Sequence, residues 1–374
     1  MGISKNRNTH TNVCSNLVQR AQPLPIARQD VFSSGTRSRA PSVPVIAGIW
    51  NAPIPEGALI LTQRIPELLN AAFAPKTLSK YGRAWSKFTS WCTMMRVKDV
   101  CPASHMTVAI YYVYVLDTMK TRGALNDAKN SINWAHNLAD CKSPTKSKFV
   151  QKVLEGAKRK CKKLSNQKDP IFAEDIKELF DVADMDSPKD LRFLLTVVLA
   201  FAGFMRISEF LNVQLKHIDI TGEYVKILLP KSKTDQCREG HFLYISRTGT
   251  PTCPVKLLEL FLAVTKLGVS QENFLAGRLL RVKGGFKVCG MRPISYGRMR
   301  TIILDGLSPL SLKYPDRKFG THSLRIGGTT AASAGGISGR LLSQHGRWKT
   351  VSCRNRYIVD PIKKRLSVTR ALGI

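Results

Sequence analysis

Hydrophobic residues recur at helical spacing through most of the chain after residue 70. In the first such segment they fall at positions i, i+4, i+7 and i+11, on one face of a helix: Tyr81, Trp85, Phe88 and Cys92. Pro75 is expected to open this helix, with Thr77 or Ser79 as its cap. Three further segments with similar periodicity predict helices over 105–120, 125–140 and 145–163.

The pattern after residue 169 mixes helical segments with short β-rich runs. Helical periodicity predicts four helices here, over 173–182, 189–204, 254–267 and 295–307. Two short runs of β-branched and aromatic residues, 224–229 and 241–245, flank the polar segment Pro230–Asp235, which predicts a hairpin with a basic tip. The expected fold is mainly α with a small β-hairpin or sheet (α+β), as a helical domain over 65–164 and a second domain over 169–374.

Residues 1–64 differ from the rest of the chain. They are polar, carry several prolines and show neither helical nor strand periodicity. A segment of this composition cannot bury enough apolar surface to fold by itself. The sequence therefore predicts a disordered basic tail.

Positive charge is spread along the chain. The 374 residues include 58 Lys and Arg against 26 Asp and Glu, a formal net charge of +32. This balance is typical of a protein that binds nucleic acid, with a generally basic soluble protein as the alternative. One basic cluster ends the helical domain and is predicted to bind DNA, although it also fits a nuclear localisation signal: Lys158, Arg159, Lys160, Lys162 and Lys163.

Cysteine usage and hydropathy indicate the compartment. The nine cysteines include no CxxC pair and no Cys/His cluster with zinc-ligand spacing. We expect reduced thiols and no structural metal, as in a cytosolic or nuclear protein. No signal peptide and no apolar run of about 18 residues is present. Neither secretion nor a membrane partner is therefore expected.

The candidate chemistry begins at His322 and Arg325, which are three residues apart and would share one face of a helix. Trp348 and Tyr357 follow, the latter 32 residues after Arg325. A guanidinium group, an imidazole and a phenol suit phosphoryl transfer, where catalysis consists mostly of positioning and of stabilising charge on phosphate oxygens. The alternative is a basic surface helix followed by a core tyrosine.

A second charged pair, Arg206 and Glu209, emerges from an otherwise apolar segment. An unpaired buried charge is costly, so Arg206 must be paired or functional. A salt bridge to Glu209 is the structural interpretation, and it is compatible with Glu209 holding a functional arginine in place. A hairpin lysine such as Lys233, taken alone, is usually a solvated turn residue.

Taken together, these residues resemble the full active-site set of the tyrosine recombinases, the phage-integrase and Cre-like family. The matching positions are Arg206 with Glu209, Lys233, His322, Arg325, Trp348 and Tyr357. The resemblance covers about residues 70–374, and the helical domain resembles the core-binding domain of that family. The stretch from Thr321 to Ala332 and the C-terminal end most resemble recombinases of eukaryotic mobile elements, of the crypton or DIRS-like kind.

The resemblance implies a role for each residue. Tyr357 would attack a DNA phosphodiester to give a 3′-phosphotyrosyl link and a free 5′-hydroxyl, with no metal and no cofactor. Arg206 and Arg325 would hold the non-bridging oxygens, and Lys233 would protonate the leaving 5′-oxygen. His322 would act as a base or phosphate ligand, Trp348 would donate its indole N–H, and Glu209 would support the first arginine.

Some assignments within this set stay open. Lys231 competes with Lys233 as the hairpin lysine, and Trp348 stands where many family members have histidine. His345 lies close in sequence but is not given the role of Trp348.

Three functions remain in competition: an active site-specific recombinase for integration or excision, a topoisomerase IB-like nicking and resealing enzyme, and a DNA-binding protein derived from a recombinase. The apolar residues after Tyr357 resemble the tail by which recombinases dock onto neighbours. The expected partners are double-stranded DNA and further copies of the chain, as a dimer or tetramer on DNA. The expected location is the nucleus in a eukaryote and otherwise the cytoplasm.

Overall fold

A computed structural model describes residues 55–62, 64–161, 168–230, 240–283 and 285–372. The chain divides into two compact units, with the boundary after Leu164. Most of the predicted tail lies outside the described residues, and its last part forms a short turn and the helix α1 (Leu59–Thr62). Four lysines singled out in the sequence also lie outside them: Lys162, Lys163, Lys231 and Lys233.

The first unit is helical. Its remaining helices are α2 (Ile65–Ala71), α3 (Pro75–Met94), α4 (His105–Met119), α5 (Arg122–Leu138) and α6 (Lys148–Lys160). Helix α3 packs against α5, and α4 packs against α6. The predicted apolar faces form the core, which includes the fully buried Phe88, Tyr112, Leu125 and Ile132. The periodicity therefore predicted α3, α4, α5 and α6, whereas α2 was not predicted.

Two details that the sequence predicted at helix ends are wrong. The cap of α3 is the extended residue Ala74, which makes no side-chain capping bond, because Pro75 occupies the first helical position. Thr77 and Ser79 consequently lie inside the helix. The predicted helix over 145–163 is interrupted at Ser147, whose extended backbone separates a 3₁₀ turn from α6.

The second unit combines helices with two small antiparallel sheets, as the predicted fold class requires. Its helices are α7 (Ala173–Asp181), α8 (Pro188–Ala202), α9 (Ile207–Phe210), α10 (Pro254–Thr265), α11 (Tyr296–Gly306), α12 (Ser308–Lys313), α13 (Ser323–Ala334), α14 (Gly339–Gly346), α15 (Val351–Asn355) and α16 (Ile362–Arg370). Its strands are β1 (Ile218–Ile220), β2 (Tyr224–Leu229), β3 (His241–Ser246), β4 (Gly277–Val282) and β5 (Gly285–Pro293).

The predicted hairpin is confirmed in strands β2 and β3. Together with β1 they form a sheet of order β1-β2-β3, with Val225 opposite Ile245. The hairpin of β4 and β5 was not predicted. Its glycines and basic residues interrupt the hydrophobic alternation on which strand prediction depends.

Helix α8 forms the centre of the second unit and positions the site. Ser187 caps it by accepting a bond from the Asp190 amide (3.4 Å), and the buried face packs against α10 and α13. Helix α13 approaches its neighbours closely through Gly327 and Gly328. A Cβ atom on Gly328 would lie 2.1 Å from the carbonyl oxygen of Phe201, so only glycine fits.

Candidate active site

The segment after α8 carries the first charged pair of the site. Helix α8 ends at Gly203, and Arg206 then begins the short helix α9. The Arg206 amide donates to Oε2 of Glu209 (2.9 Å), and its Nη1 donates to Oε1 (2.6 Å). The salt bridge predicted from their spacing is confirmed, and Glu209 is buried.

Arg347 is a second partner of Glu209 that the sequence analysis did not identify. Its Nη2 donates to Oε2 of Glu209 (2.9 Å) and to the carbonyl of Phe204 (2.9 Å), while Nη1 donates to the carbonyl of His345 (2.8 Å). Arg347 ends α14 in the left-handed region, with φ of 58°. Nothing in the sequence distinguished this buried arginine from an exposed one.

Arg325 completes a group of three arginines around one carboxylate. It lies in the first turn of α13 with 1% of its surface exposed. Its guanidinium group donates to the carbonyls of Phe204 and Gly346, and its Nη1 lies 3.9 Å from Oε2 of Glu209. Burial, together with the positive charges of Arg206 and Arg347, lowers the pKa of Arg325.

The group carries more positive than negative charge. Burial alone would raise the pKa of Glu209, but Arg347, the Arg206 amide and the other two guanidinium groups together lower it. Glu209 therefore stays ionised and offsets one of three positive charges. Because uncompensated buried charge is costly, the arrangement favours binding of an anion.

Trp348 and Tyr357 contact the same arginine. The Arg325 Cζ lies 4.5 Å from the centre of the Trp348 ring and 5.0 Å from that of Tyr357, and the two rings are 5.3 Å apart. Gly346 permits this packing, since a Cβ there would lie 1.9 Å from the Trp348 ring. Within the described part of the chain, the buried Nε1 of Trp348 has no hydrogen-bond partner. An unsatisfied buried N–H group is costly, and an acceptor that reached it would remove this cost.

Tyr357 is held by the same helix that carries Arg325. The Thr330 hydroxyl of α13 donates to the Tyr357 carbonyl (3.3 Å) and accepts from the Val359 amide (3.1 Å). Tyr357 borders a cleft of about 550 Å³, whose described charged and titratable lining residues are basic: Lys168, Arg300, His322 and Arg356. His322, an exposed residue at the start of α13, therefore faces the same cleft as Tyr357.

None of the remaining candidates is among the described residues of this cluster. Lys233 and its alternative Lys231 are outside the described residues. His345 lines a different, apolar groove, and its Nε2 lies 2.8 Å from the carbonyl oxygen of Ala202. Lys158, Arg159 and Lys160 form the last turn of α6 in the first unit. Nearby Lys129 and Arg122 indicate a wider basic surface there, and with burial they lower the pKa of Lys158.

One cluster of potential metal ligands forms in the first unit, although sequence spacing predicted none. Cys101, His136 and Cys141 meet there, with the two sulfur atoms 3.7 Å apart. The Ala103 amide donates to Nε2 of His136 (2.9 Å), and Nδ1 lies 2.7 Å from the carbonyl oxygen of Ile132. Both ring nitrogens are therefore used by the backbone, and we assign no metal to this cluster.

Comparison with solved structures places the fold among the tyrosine recombinases. The XerH site-specific recombinase bound to its palindromic difH substrate matches with a TM-score of 0.52 and 14% identity, covering 80% of this chain and 78% of XerH. The Tn1549 transposon integrase in complex with transposon right-end DNA matches with a TM-score of 0.52 and 12% identity, covering 80% and 93%. At these identities the likeness concerns the fold.

The sequence itself matches a curated relative. It is 26% identical over 305 residues to an integrase/recombinase, a XerD homologue of Selenomonas ruminantium, covering 80% of this chain and 85% of the relative. No family model matches the sequence. In sequence and in fold the chain is thus similar to the tyrosine recombinases and integrases. The narrower resemblance to crypton or DIRS-like recombinases stays a prediction.

Proposed function

We propose that this chain is a site-specific DNA recombinase that cleaves and rejoins DNA through a 3′-phosphotyrosyl intermediate. The observation that carries the proposal is the contact of Tyr357 with Arg325, one of three guanidinium groups around one carboxylate. This cluster supplies the positive charge that a phosphodiester needs and a nucleophile at its edge. Support for a role in a mobile element comes from the similarity in fold to the Tn1549 integrase.

In the proposed reaction the Tyr357 oxygen bonds to phosphorus while the bond to the 5′-oxygen breaks. Arg206 is the most exposed of the three arginines, with 16% of its side chain accessible, and would hold a non-bridging oxygen together with Arg325. The Trp348 N–H donates to the same phosphate, and His322 accepts the phenolic proton. Lys233 or Lys231 protonates the departing 5′-oxygen. A 5′-hydroxyl from another strand then reverses these steps and releases Tyr357.

A covalent trap tests this proposal. A tight-binding duplex is first selected from a randomised library with the purified chain, and the cleavage position is mapped. A nick placed close to that position lets the short 5′-hydroxyl fragment diffuse away after cleavage. The proposal expects a protein–DNA adduct in which protease digestion and mass spectrometry identify Tyr357. Adduct formation at another residue, or cleavage that leaves a free 3′-phosphate without an adduct, would refute it.

DNA binding by the basic end of α6 is a second part of the proposal, and it predicts a salt effect. Replacing Lys158, Arg159, Lys160, Lys162 and Lys163 by alanine should flatten the dependence of log affinity on log salt, by about 0.9 for each phosphate that the protein no longer neutralises. Sequence preference should not change, because phosphate contacts carry no sequence information. Fluorescence anisotropy at several salt concentrations measures the slope.

Lys152 provides the control on the same helix. It is exposed and already paired with Glu155 (3.1 Å), so Lys152→Ala should leave the slope unchanged. An equal slope for the fivefold variant and the unmodified chain would contradict a DNA contact and leave nuclear import as the role of the cluster.

Self-association on DNA is the third part, and two apolar features support it. The described side chains of α16 are exposed, including Ile362 (68%), Leu366 (42%) and Val368 (67%). A separate groove of about 490 Å³ is lined largely by apolar residues of β3, α8 and α14, among them the half-exposed Phe242 and Leu341. We propose that α16 of one copy lies in this groove of the next, as amphipathic helices do in other grooves.

This assembly predicts the effect of removing residues 362–374. The truncated chain should still cleave a single nicked site, because Tyr357 is anchored by Thr330 of its own chain. It should lose strand exchange between two sites and the two-site complex on native gels. The groove variant Leu341→Asp should show the same two defects. Strand exchange at the full rate by the truncated chain would exclude the docking.

A further inference from the structure

The role of Arg347 can be inferred from its contacts. Its side chain is only 4% exposed, whereas that of Arg206 is 16% exposed. Each Nη atom of Arg347 donates to two protein acceptors, whereas each Nη atom of Arg325 donates to one. The Nη donors of Arg347 are therefore used within the protein, and its effect on the reaction must pass through the residues that contact the phosphate.

The first contact of Arg347 is with the carboxylate of Glu209. Glu209 uses Oε1 for Arg206 (2.6 Å) and shares Oε2 between the Arg206 amide and Arg347 (2.9 Å each). With Arg347 present, three guanidinium groups surround one carboxylate, a formal charge of +2. Without it, Glu209 would offset half of the charge of Arg206 and Arg325, leaving +1 for the phosphate.

The second set of contacts joins two segments of the site. Arg347 donates to the carbonyls of Gly203 (3.3 Å) and Phe204 (2.9 Å) at the end of α8, and to that of His345 (2.8 Å) in α14. The first segment leads to Arg206, and the second leads to Trp348. The left-handed backbone of Arg347 also sets the direction in which Trp348 leaves α14.

We propose that Arg347 is a positioning residue of the phosphate site. Its guanidinium group neutralises Glu209 and so leaves the charges of Arg206 and Arg325 to the scissile phosphate. This inference rests on the proposed function, since it assigns a role within the same reaction. It extends that function by making a buried residue, whose Nη donors are used within the protein, a determinant of the cleavage rate.

Two substrates separate this electrostatic role from a purely structural one. Single-turnover cleavage is measured on the nicked duplex and on the same duplex with an uncharged methylphosphonate at the scissile position. Arg347→Gly removes the guanidinium group while glycine tolerates the positive φ. We expect a loss of about 10- to 100-fold on the phosphodiester, the range seen when groups that orient acting residues are removed. The loss on the uncharged substrate should be much smaller.

A control variant, a chemical rescue and a second substitution at Arg347 complete the experiment. Arg340→Ala, which removes one exposed charge from α14, should behave like the unmodified chain on both substrates. Guanidinium ion at low millimolar concentration should partly restore Arg347→Gly. If that variant unfolds, Arg347→Lys replaces it, because one ammonium group neutralises Glu209 but cannot reach all three carbonyls. Its cleavage of the phosphodiester should stay close to that of the unmodified chain.

For Arg347→Gly, equal losses on the two substrates, or no loss on either, would overturn the inference. For Arg347→Lys, a loss of about tenfold or more on the phosphodiester would do so. The proposed function has its own readout in the same experiment. If the unmodified chain forms no Tyr357 adduct on the phosphodiester, the proposed recombinase activity fails. If it forms the adduct and Arg347→Gly does so equally well, only the role of Arg347 fails.

Discussion

Tyr357→Phe is expected to abolish the covalent adduct with a nicked duplex while leaving DNA affinity unchanged. The substitution removes only the phenolic oxygen that bonds to phosphorus. The ring keeps its packing against Trp348, 5.3 Å away, and its contact with Arg325. Because Thr330 holds the backbone of Tyr357 and not its hydroxyl, the loop itself should not move. Denaturing gels report the adduct, and anisotropy reports binding.

Tyr314 provides the matched control. It is the nearest other tyrosine in the sequence, and its hydroxyl lies 3.4 Å from Glu178, near Lys313. Tyr314→Phe should therefore form the adduct at the normal rate. Recovery of an adduct from Tyr357→Phe would show that another residue is the nucleophile.

Arg206→Ala and Arg325→Ala are each expected to slow cleavage by about a hundredfold or more, the usual cost of losing a donor that stabilises transition-state charge. The two variants should differ in stability. Arg206 lies near the surface, whereas the Arg325 guanidinium bonds to two carbonyls in the interior. We therefore expect Arg325→Ala to unfold at a lower temperature as well. Single-turnover kinetics and thermal melting measure the two effects separately.

One lysine substitution and a chelator extend this second prediction. Arg206→Lys keeps the charge but loses the planar fork, so it should recover only part of the rate. EDTA should have no effect on the unmodified chain, because the three arginines supply the charge that a metal ion would otherwise provide. A requirement for Mg²⁺ would identify a metal-dependent nuclease instead. If either alanine variant cleaved at the rate of the unmodified chain, that arginine would have no role in the reaction.

The fold and part of the site could be predicted because they depend on local spacing. The apolar residues of α3 recur every three or four positions, so the helix and its buried face follow from the order of residues alone. The pairing of Arg206 with Glu209 is equally local, since positions i and i+3 adjoin at the start of a helix. The resemblance to a known family supplied the expected roles of five residues: Lys233, His322, Arg325, Trp348 and Tyr357. The structure describes all of these residues except Lys233.

What the sequence determined by itself is therefore the longer helices, the main hairpin and the chemical types available for phosphoryl transfer. Only the tertiary structure decided which charges meet. Arg347 and Glu209 are 138 positions apart in the sequence, and Arg325 and Phe204 are 121 apart. Periodicity therefore cannot predict either contact. The apolar groove and the Cys101–Cys141 approach arise in the same way. The spacing of residues determines interactions within one helix or hairpin. Packing between elements depends instead on how the surfaces of helices and strands far apart in the sequence fit together. The anion site formed by such packing.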